Sequence, residues 1–302
     1  VVIAEGRAIG VQIRRHQRVE TISSNAEVIL SAGAIGSPQL LMLSGIGAGG
    51  ELSAHGIEVL SDLPGVGKNL QDHLQARPVF KTTLSTVNTE INSYLKKGLI
   101  AAKYAFTQRG PMTMAASLGT GFLKTEAHLE TPDIQFHIQP WSALKPSDGP
   151  HKFSAFTASV LQLRPESAGH LTLSSANIDD HPEIHPNYLS TETDCRTIVK
   201  GIQIARRIAQ SEPLKSHITE EYAPGVGVAL EDEGATLDWA RQTSVTIYHP
   251  TGTCKMGIDP MAVVDPSLKV KGIRGLRVAD ASIMPRIVSG NTNAPAIMIG
   301  EK

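Results

Sequence analysis

Residues 28–43, VILSAGAIGSPQLLML, decide the fold class of this 302-residue chain. The run 28–30 is short and continuously apolar, which is typical of a strand covered on both faces. A turn of small residues follows, and Ser37 and Pro38 then form a favourable N-cap and first-position pair for a helix over 39–43. Strand, tight turn and helix in this order is how α/β proteins bring backbone N–H groups close to a nucleotide.

Periodic segments on either side predict the remaining elements. Residues alternate between apolar and polar over 134–139 (IQFHIQ), which predicts a half-buried strand. Apolar residues recur at helical spacing over 193–209, which predicts a helix with Lys200, Arg206 and Arg207 facing solvent. Further strands are predicted at 1–4, 9–13, 19–22, 155–163, 171–173 and 276–279, the last of them ending at Asp280.

The order of these segments predicts a discontinuous domain. The chain begins with an α/β pattern, continues with an α+β pattern, and returns to α/β. We therefore expect a fold that is α/β plus α+β, with one domain built from 1–76 and 249–302. A second domain, 77–248, is inserted into it and is built on an antiparallel sheet.

Composition argues against a disordered protein, a nucleic-acid-binding protein and a metal-binding protein. Hydrophobic residues make up 41% and charged residues 19%, which is typical of a folded protein rather than a disordered one. The formal net charge of −1 gives no indication of a nucleic-acid or anionic-membrane partner. Cys195 and Cys254 form neither a disulfide framework nor a CxxC metal pair, and no metal is expected.

The chain carries no targeting signal and no apolar run of the roughly 18 residues that a membrane helix needs. We expect a location in the cytoplasm or peripherally at the inner face of the membrane. The first residue is Val1 and the last apolar run, 296–302, passes into charged residues without a stop signal. This pattern predicts a fragment of a longer protein.

Three motifs have competing readings. Residues 45–50 match GxGxxG, but they follow a predicted helix, so we interpret them as a helix end and turn rather than a phosphate loop. His181 and His185 have metal-ligand spacing, yet adjacent prolines forbid a helix and favour an extended loop. Cys254 follows His249 by five residues, but a buried structural cysteine is favoured over a nucleophile.

The segment 248–257, YHPTGTCKMG, carries the first candidate for catalysis. His249 is followed by Pro250, which fixes the direction of the chain after it. A neutral histidine near pH 7 is a suitable general base. Asn291 lies in 289–295, SGNTNAP, and an asparagine amide can stabilise a developing alkoxide. On these residues alone, a structural role for His249 stays open.

Several long motifs occur together and in a characteristic order. The segments 28–47, 63–73, 249–257, 264–266 and 276–302 resemble the glucose–methanol–choline (GMC) family of flavoprotein oxidoreductases. Residues 164–173 and 186–189 fit the same family, and the likeness is greatest to its bacterial choline and alcohol dehydrogenases.

The resemblance implies a chemistry. It implies an FAD-binding domain, a substrate domain with an antiparallel sheet, and transfer of a hydride from an alcohol carbon to flavin N5. His249 is the implied base for the hydroxyl proton, and Asn291 the residue that orients the alcohol. The implied FAD contacts are Ala32 and Gly33 on the adenosine side, Asp280 and Ala281 at the ribityl-diphosphate, and Asn293 and Pro295 near the isoalloxazine ring.

The chain departs from the family in two ways. The family's N-terminal GxGxxG unit is not seen, so the resemblance implies a C-terminal fragment whose activity belongs to a longer parent. In choline-type members a glutamate stands where an ungapped alignment places Leu118. Tyr248 and Trp141 can supply part of an aromatic cage for a cation, but Leu118 supplies no charge.

The second departure favours a neutral primary alcohol as the small-molecule substrate. The likeness to bacterial dehydrogenases favours a quinone or another non-oxygen electron acceptor. The alternatives are a choline dehydrogenase, a lyase that holds FAD without using its redox chemistry, and an inactive fragment. No nucleic-acid partner is expected.

Overall fold

The computed structural model describes residues 1–115, 117–143 and 149–302. Their contacts divide the chain into two compact units. Unit 1 comprises Val1–His73, Arg164–Ser190 and Tyr248–Lys302, and unit 2 comprises the described residues of Leu74–Leu163 and Thr191–Ile247.

The elements of unit 1 come from three separate stretches of the chain. Its strands are β1 (Val2–Ala4), β2 (Arg7–Arg15), β3 (Arg18–Ser23), β4 (Val28–Leu30), β5 (Ile46–Gly47), β6 (Ser61–Asp62), β7 (Lys68–Leu70), β13 (Gly169–Thr172), β14 (Glu183–His185) and β17 (Leu276–Val278). Its helices are α1 (Gly33–Leu43), α2 (Gly49–Ala54) and α7 (Asn293–Glu301).

The elements of unit 2 come from two stretches. Its strands are β8 (Leu74–Ala76), β9 (Val79–Thr82), β10 (Gly119–Leu123), β11 (Ile134–Gln139), β12 (Ala155–Gln162), β15 (Ile218–Ala223) and β16 (Val245–Thr246). Its helices are α3 (Val87–Glu90), α4 (Tyr94–Thr107), α5 (Glu192–Ala209) and α6 (Glu233–Thr243).

In unit 1, β4 and β17 pair in parallel, although about 250 residues separate them along the chain, and Leu276 lies opposite Val28. Both strands enter an aliphatic core that also contains Leu41, Met42 and Val264. The unit also contains the antiparallel groups β1–β2–β3 and β14–β13–β7 and the parallel pair β5–β6. The strands predicted at 1–4, 9–13, 19–22 and 28–30 and the strand predicted to end at Asp280 are therefore confirmed.

The helix predicted at 39–43 begins six residues earlier, at Gly33. Ser37 is consequently not the N-cap, and Pro38 lies inside the helix. A proline there removes the backbone hydrogen bond to the carbonyl group four residues before it, which is that of Ala34. The Thr253 hydroxyl donates to this Ala34 oxygen at 2.6 Å, so the carbonyl keeps a partner.

In unit 2, the strands form an antiparallel sheet in the order β10–β11–β12–β8–β16, and β9 pairs with both β12 and β15. Phe136, Val160 and Ala76 lie opposite one another on adjacent strands, so they share one face of the sheet. Helix α5 packs on this face. A Cβ on Gly201 would lie 2.8 Å from Val160 Cγ2, so glycine permits the close approach.

The opposite face of the same sheet is polar. On it lie Gln75, Gln135, His137 and Ser159, which the strand register places opposite or beside one another. All four are buried. The predicted strand at 134–139 is confirmed, but its description as half-buried is wrong, because its polar positions are also covered.

Two other expectations for the inserted domain need correction. Arg206 was expected in solvent, but it is buried and forms an ion pair with Glu221 at 2.8 Å. The segment 164–190 was expected within 77–248, but it belongs to unit 1, because β13 pairs with β7. The other boundaries lie within three residues of the expected positions, and α5 confirms the helix expected at 193–209.

Among the helices that the structure describes, none combines the length and the apolar character needed to cross a bilayer.

Candidate active site

His249 lies in unit 1 and is held by its backbone and by both ring nitrogens. Its backbone N–H donates to Asp72 Oδ1 at 2.9 Å, and the Tyr188 hydroxyl donates to Asp72 Oδ2 at 2.5 Å. Pro250 restricts His249 to an extended conformation, and Tyr248 before it has a φ of 63°, in the left-handed region. The backbone path of His249 is thus set from both sides.

The residues after His249 are anchored to residues 69–71 and to helix α1. Thr251 exchanges backbone hydrogen bonds with Gln71, at 2.8 and 3.1 Å. Gly252 has a φ of 88°, and a Cβ there would collide with the carbonyl oxygen of Asn69, so the position requires glycine. Together with the Thr253 bond to α1, these contacts explain why the Pro-Thr-Gly-Thr sequence follows the histidine.

The imidazole of His249 has a partner on each nitrogen. Nδ1 lies 3.0 Å from Nδ1 of His73, whose ring is fully buried and meets His249 edge-on, with the centroids 5.3 Å apart. Nε2 lies 3.2 Å from the amide nitrogen of Asn291. An amide nitrogen only donates, so Nε2 accepts, and the ring proton of His249 resides on Nδ1 and points to His73.

This tautomer leaves Nε2 with its lone pair towards Asn291. Burial lowers the pKa of His249 below its ordinary value, because it penalises the imidazolium, while the nearby Asp72 carboxylate opposes that shift. The ring is therefore neutral at pH 7. A neutral imidazole, oriented through Nδ1 and basic at Nε2, is equipped to accept a proton.

The two predicted catalytic residues therefore lie together, since His249 and Asn291 are in hydrogen-bond contact. Sequence reasoning missed Asp72, His73 and Tyr188. Asp72 and His73 end the motif 63–73 that carried part of the family resemblance, so a signal for them was present. Nothing in the sequence indicated a contact with a histidine 176 positions later.

A second group of predicted residues gathers at the carboxyl ends of β4 and β17. Asp280 follows β17, and its Oδ2 accepts from the Gly33 N–H at 2.9 Å and from the Ser37 hydroxyl at 2.5 Å. The Ser37 oxygen in turn accepts from the Ala32 N–H at 3.0 Å. Ala281 begins a short 3-10 helix capped by the Asp280 side chain. Ala32, Gly33, Asp280 and Ala281 thus form one cluster.

The remaining pair, Asn293 and Pro295, lies in the first turn of α7. That helix packs against the 3-10 helix Ala281–Ile283, which places the pair beside the first cluster. Proline is tolerated in a first turn because the N–H groups there have no partner within the helix. All six predicted cofactor-binding residues therefore share one region of unit 1.

Two sequence profiles of GMC oxidoreductases match the chain, one over residues 1–75 and the other over residues 165–300. The chain belongs to the GMC oxidoreductase family. The relatives of this GMC oxidoreductase include alcohol dehydrogenase (acceptor) of Pseudomonas putida, 44% identical over 308 residues, and mitochondrial choline dehydrogenase of Homo sapiens, 42% identical over 305 residues. Both comparisons cover all of this chain, but 55% and 51% of those two proteins. The chain spans about half the length of these relatives.

Solved structures agree with this membership. A variant of formate oxidase from Aspergillus oryzae, solved to study FAD modification, superimposes with a TM-score of 0.89 at 27% identity. The superposition covers 98% of this chain and 56% of that protein. The predicted fold class, α/β plus α+β with an antiparallel sheet, is confirmed.

The structure distinguishes between the interpretations of the three motifs at 45–50, 181–185 and 249–254. Gly45 follows α1 with a φ of 81°, as expected of a helix end, and Asp62 occupies the N-terminus of the short helix α2. His185 lies on strand β14, so the segment is extended. Cys254 is fully buried, and burial raises the pKa of its thiol, so a nucleophilic thiolate is not supported. Within the described ranges, no cluster of three His, Cys, Asp or Glu side chains could hold a metal.

Proposed function

We propose that the protein oxidises a neutral primary alcohol to an aldehyde with FAD as its cofactor. The observation that carries this proposal is the neutral His249 of a GMC oxidoreductase, whose basic Nε2 meets the Asn291 amide at 3.2 Å. The named relatives are dehydrogenases of alcohols and of choline. The formate oxidase structure was solved to study the modification of its FAD.

The predicted cofactor region fits FAD. Carboxyl ends of parallel strands, followed by tight turns of small residues, are where α/β proteins bind nucleotides. Gly33 has a positive φ, and a Cβ there would meet nothing within 4 Å, so the space beside its Cα is open to a ligand, while its N–H is held by Asp280. Because the Asp280 carboxylate already occupies the start of α1, we assign it to ribityl hydroxyls and not to the diphosphate, which would meet a like charge.

When bound, FAD supplies a two-electron acceptor that takes a hydride at N5. The chain's own residues handle the proton. His249 Nε2 accepts the hydroxyl proton, and the Asn291 amide donates to the oxygen as it becomes an alkoxide. Loss of this proton to His249, together with loss of a hydride from the alcohol carbon to bound FAD, would leave the aldehyde C=O. His73 and Asp72 keep the ring in position and compensate its new positive charge.

Unit 2 supports a neutral substrate over choline. Strands β8, β11 and β12 contain no acidic residue, and the cationic side chain of Arg77 directly follows β8. Its guanidinium lies 5.6 Å from the centroid of Trp141, so this aromatic ring already contacts a cation. We therefore propose that a trimethylammonium group is disfavoured at this polar surface.

The experiment begins with flavin retention. The purified protein is mixed with FAD, desalted and examined by visible absorbance, and retained flavin absorbance would show that these 302 residues hold the flavin. Anaerobic addition of a primary alkanol should then bleach the flavin band. His249→Ala should retain flavin but bleach at least about 100-fold more slowly, because a positioned general base contributes about 10²–10⁴ in rate.

His181→Ala is the matched control, since it removes an exposed histidine of the same unit. It should bleach at the wild-type rate. A colourless protein after desalting would mean that these 302 residues do not hold FAD on their own. Retained flavin that no alcohol bleaches would instead favour the lyase, and bleaching by choline alone would favour the choline dehydrogenase.

A further inference from the structure

We propose that helix α4 binds the surface of an anionic lipid bilayer, lying parallel to it. The helix runs from Tyr94 to Thr107, and none of its residues is buried. Leu95, Leu99 and Phe106 are 76%, 63% and 89% exposed. With Ala102, they follow the spacing i, i+4, i+7 and i+11, so they form one apolar stripe along the helix.

This stripe does not face the rest of unit 2. Ile100 and Tyr104 are the least exposed residues of α4, and at 100° per residue they lie on the opposite side from the stripe. The helix therefore packs through Ile100 and Tyr104 and directs Leu95, Leu99 and Phe106 outward. A soluble helix normally has the reverse arrangement, with its largest apolar side chains against the core.

The charged residues around the stripe are all basic, which favours an anionic partner. Residues 91–115 contain Lys96, Lys97, Lys103 and Arg109 and no Asp or Glu, although the whole chain has a net charge of −1. Lys96 and Lys103 flank the stripe on one side of the helix. Apolar side chains beside lysines, with low net hydrophobicity, are the features of helices that lie in the interface of anionic membranes.

A second copy of the chain fits this surface less well. Pairing two α4 helices would bring four positive charges from each copy together, and the segment offers no acidic partner for any of them. Anionic headgroups neutralise these charges, while acyl chains receive the leucines and the phenylalanine. This assignment does not depend on the proposed alcohol oxidation.

Vesicle flotation of the purified protein tests the proposal. We expect binding to vesicles of phosphatidylcholine mixed with phosphatidylglycerol, weaker binding to phosphatidylcholine alone, and a decrease on adding salt. Phe106→Glu should reduce the partition coefficient at least about tenfold, because it removes a large apolar side chain that inserts among the acyl chains. Val226→Glu is the matched control: Val226 is 98% exposed in unit 2, outside α4, and its variant should bind like the wild type.

A charge variant provides a second readout. The double substitution Lys103→Gln and Arg109→Gln should weaken binding about 25-fold, since each basic residue near the surface contributes a factor of about five. Thermal unfolding of each variant checks that it folds. The proposal is overturned if the wild type does not float with anionic vesicles, or if Phe106→Glu binds as well as the wild type. Equal losses in Phe106→Glu and Val226→Glu, or a concentration-dependent dimer abolished by Phe106→Glu, would also overturn it.

Discussion

The polar groups buried around His249 differ from those buried on the polar face of the unit 2 sheet. Near His249, Asp72 accepts two hydrogen bonds, and His73 and Asn291 each meet one ring nitrogen. On the sheet, the side-chain nitrogen of Gln75 and the side-chain oxygen of Gln135 have no partner within the described residues, although both side chains are buried.

The two regions differ in whether their buried polar groups are paired, and this separates residues that fix one geometry from residues that could still form a hydrogen bond. A satisfied network holds one geometry, whereas an unpaired buried donor or acceptor costs about 1–3 kcal/mol until something pairs with it. We infer that the first region positions the proton acceptor, whereas the polar face of the unit 2 sheet keeps two buried groups without a partner among the described residues. Each substitution below tests whether a residue belongs to the paired network or to the face with unpaired groups.

The largest effect is expected at Asn291. Asn291→Ala removes the amide that faces His249 Nε2 and should lower the rate of flavin reduction by about 10²–10³, as loss of one preorganised donor to a developing oxyanion does. Stopped-flow absorbance with a saturating primary alcohol measures this rate. Asn291→His, which restores a donor, should recover part of it, and a wild-type rate in Asn291→Ala would contradict the assigned role.

Asp72 should affect stability. Asp72→Ala leaves the backbone N–H of His249 and the Tyr188 hydroxyl without their acceptor, and we expect a loss of about 3 kcal/mol in the free energy of unfolding. Urea unfolding measures it. Asp72→Asn keeps one carbonyl acceptor and should lose less. If both variants unfold like the wild type, the network does not hold the site together.

Gln75 should behave in the opposite way. Gln75→Met replaces a side chain whose amide nitrogen lacks a partner, so the free energy of unfolding should change by less than about 1 kcal/mol. Urea unfolding measures this change, and a loss as large as that of Asp72→Ala would contradict the absence of a partner for the Gln75 amide nitrogen.

Local patterns predicted the local structure, and the family resemblance predicted the pair His249 and Asn291. The strand at 28–30 and the alternation at 134–139 are short-range signals, and both strands are present. His249 and Asn291 were predicted from the order of the family motifs. Local periodicity could not have paired them, because 42 positions separate the two residues.

The misses share a physical cause, which is long-range contact. The start of α1 depends on Asp280, 247 positions from Gly33, so Ser37 and Pro38 alone indicated the wrong N-cap. Arg206 is buried because Glu221 pairs with it. His73 was missed because its partner lies on a distant segment, and the net charge of the whole chain concealed the basic segment 91–115.

The pH dependence of flavin reduction tests the central claim that His249 is the base. Its pKa is lowered by burial, so the neutral form persists below the ordinary histidine value of 6.5. We predict that the reduction rate is constant near pH 7 and falls on the acid side, with an apparent pKa below 6.5. Asp72→Asn should move this fall to still lower pH, because the opposing negative charge is lost, and His249→Gln should abolish it. The same fall in His249→Gln, or one centred above 6.5 in the wild type, would contradict the account.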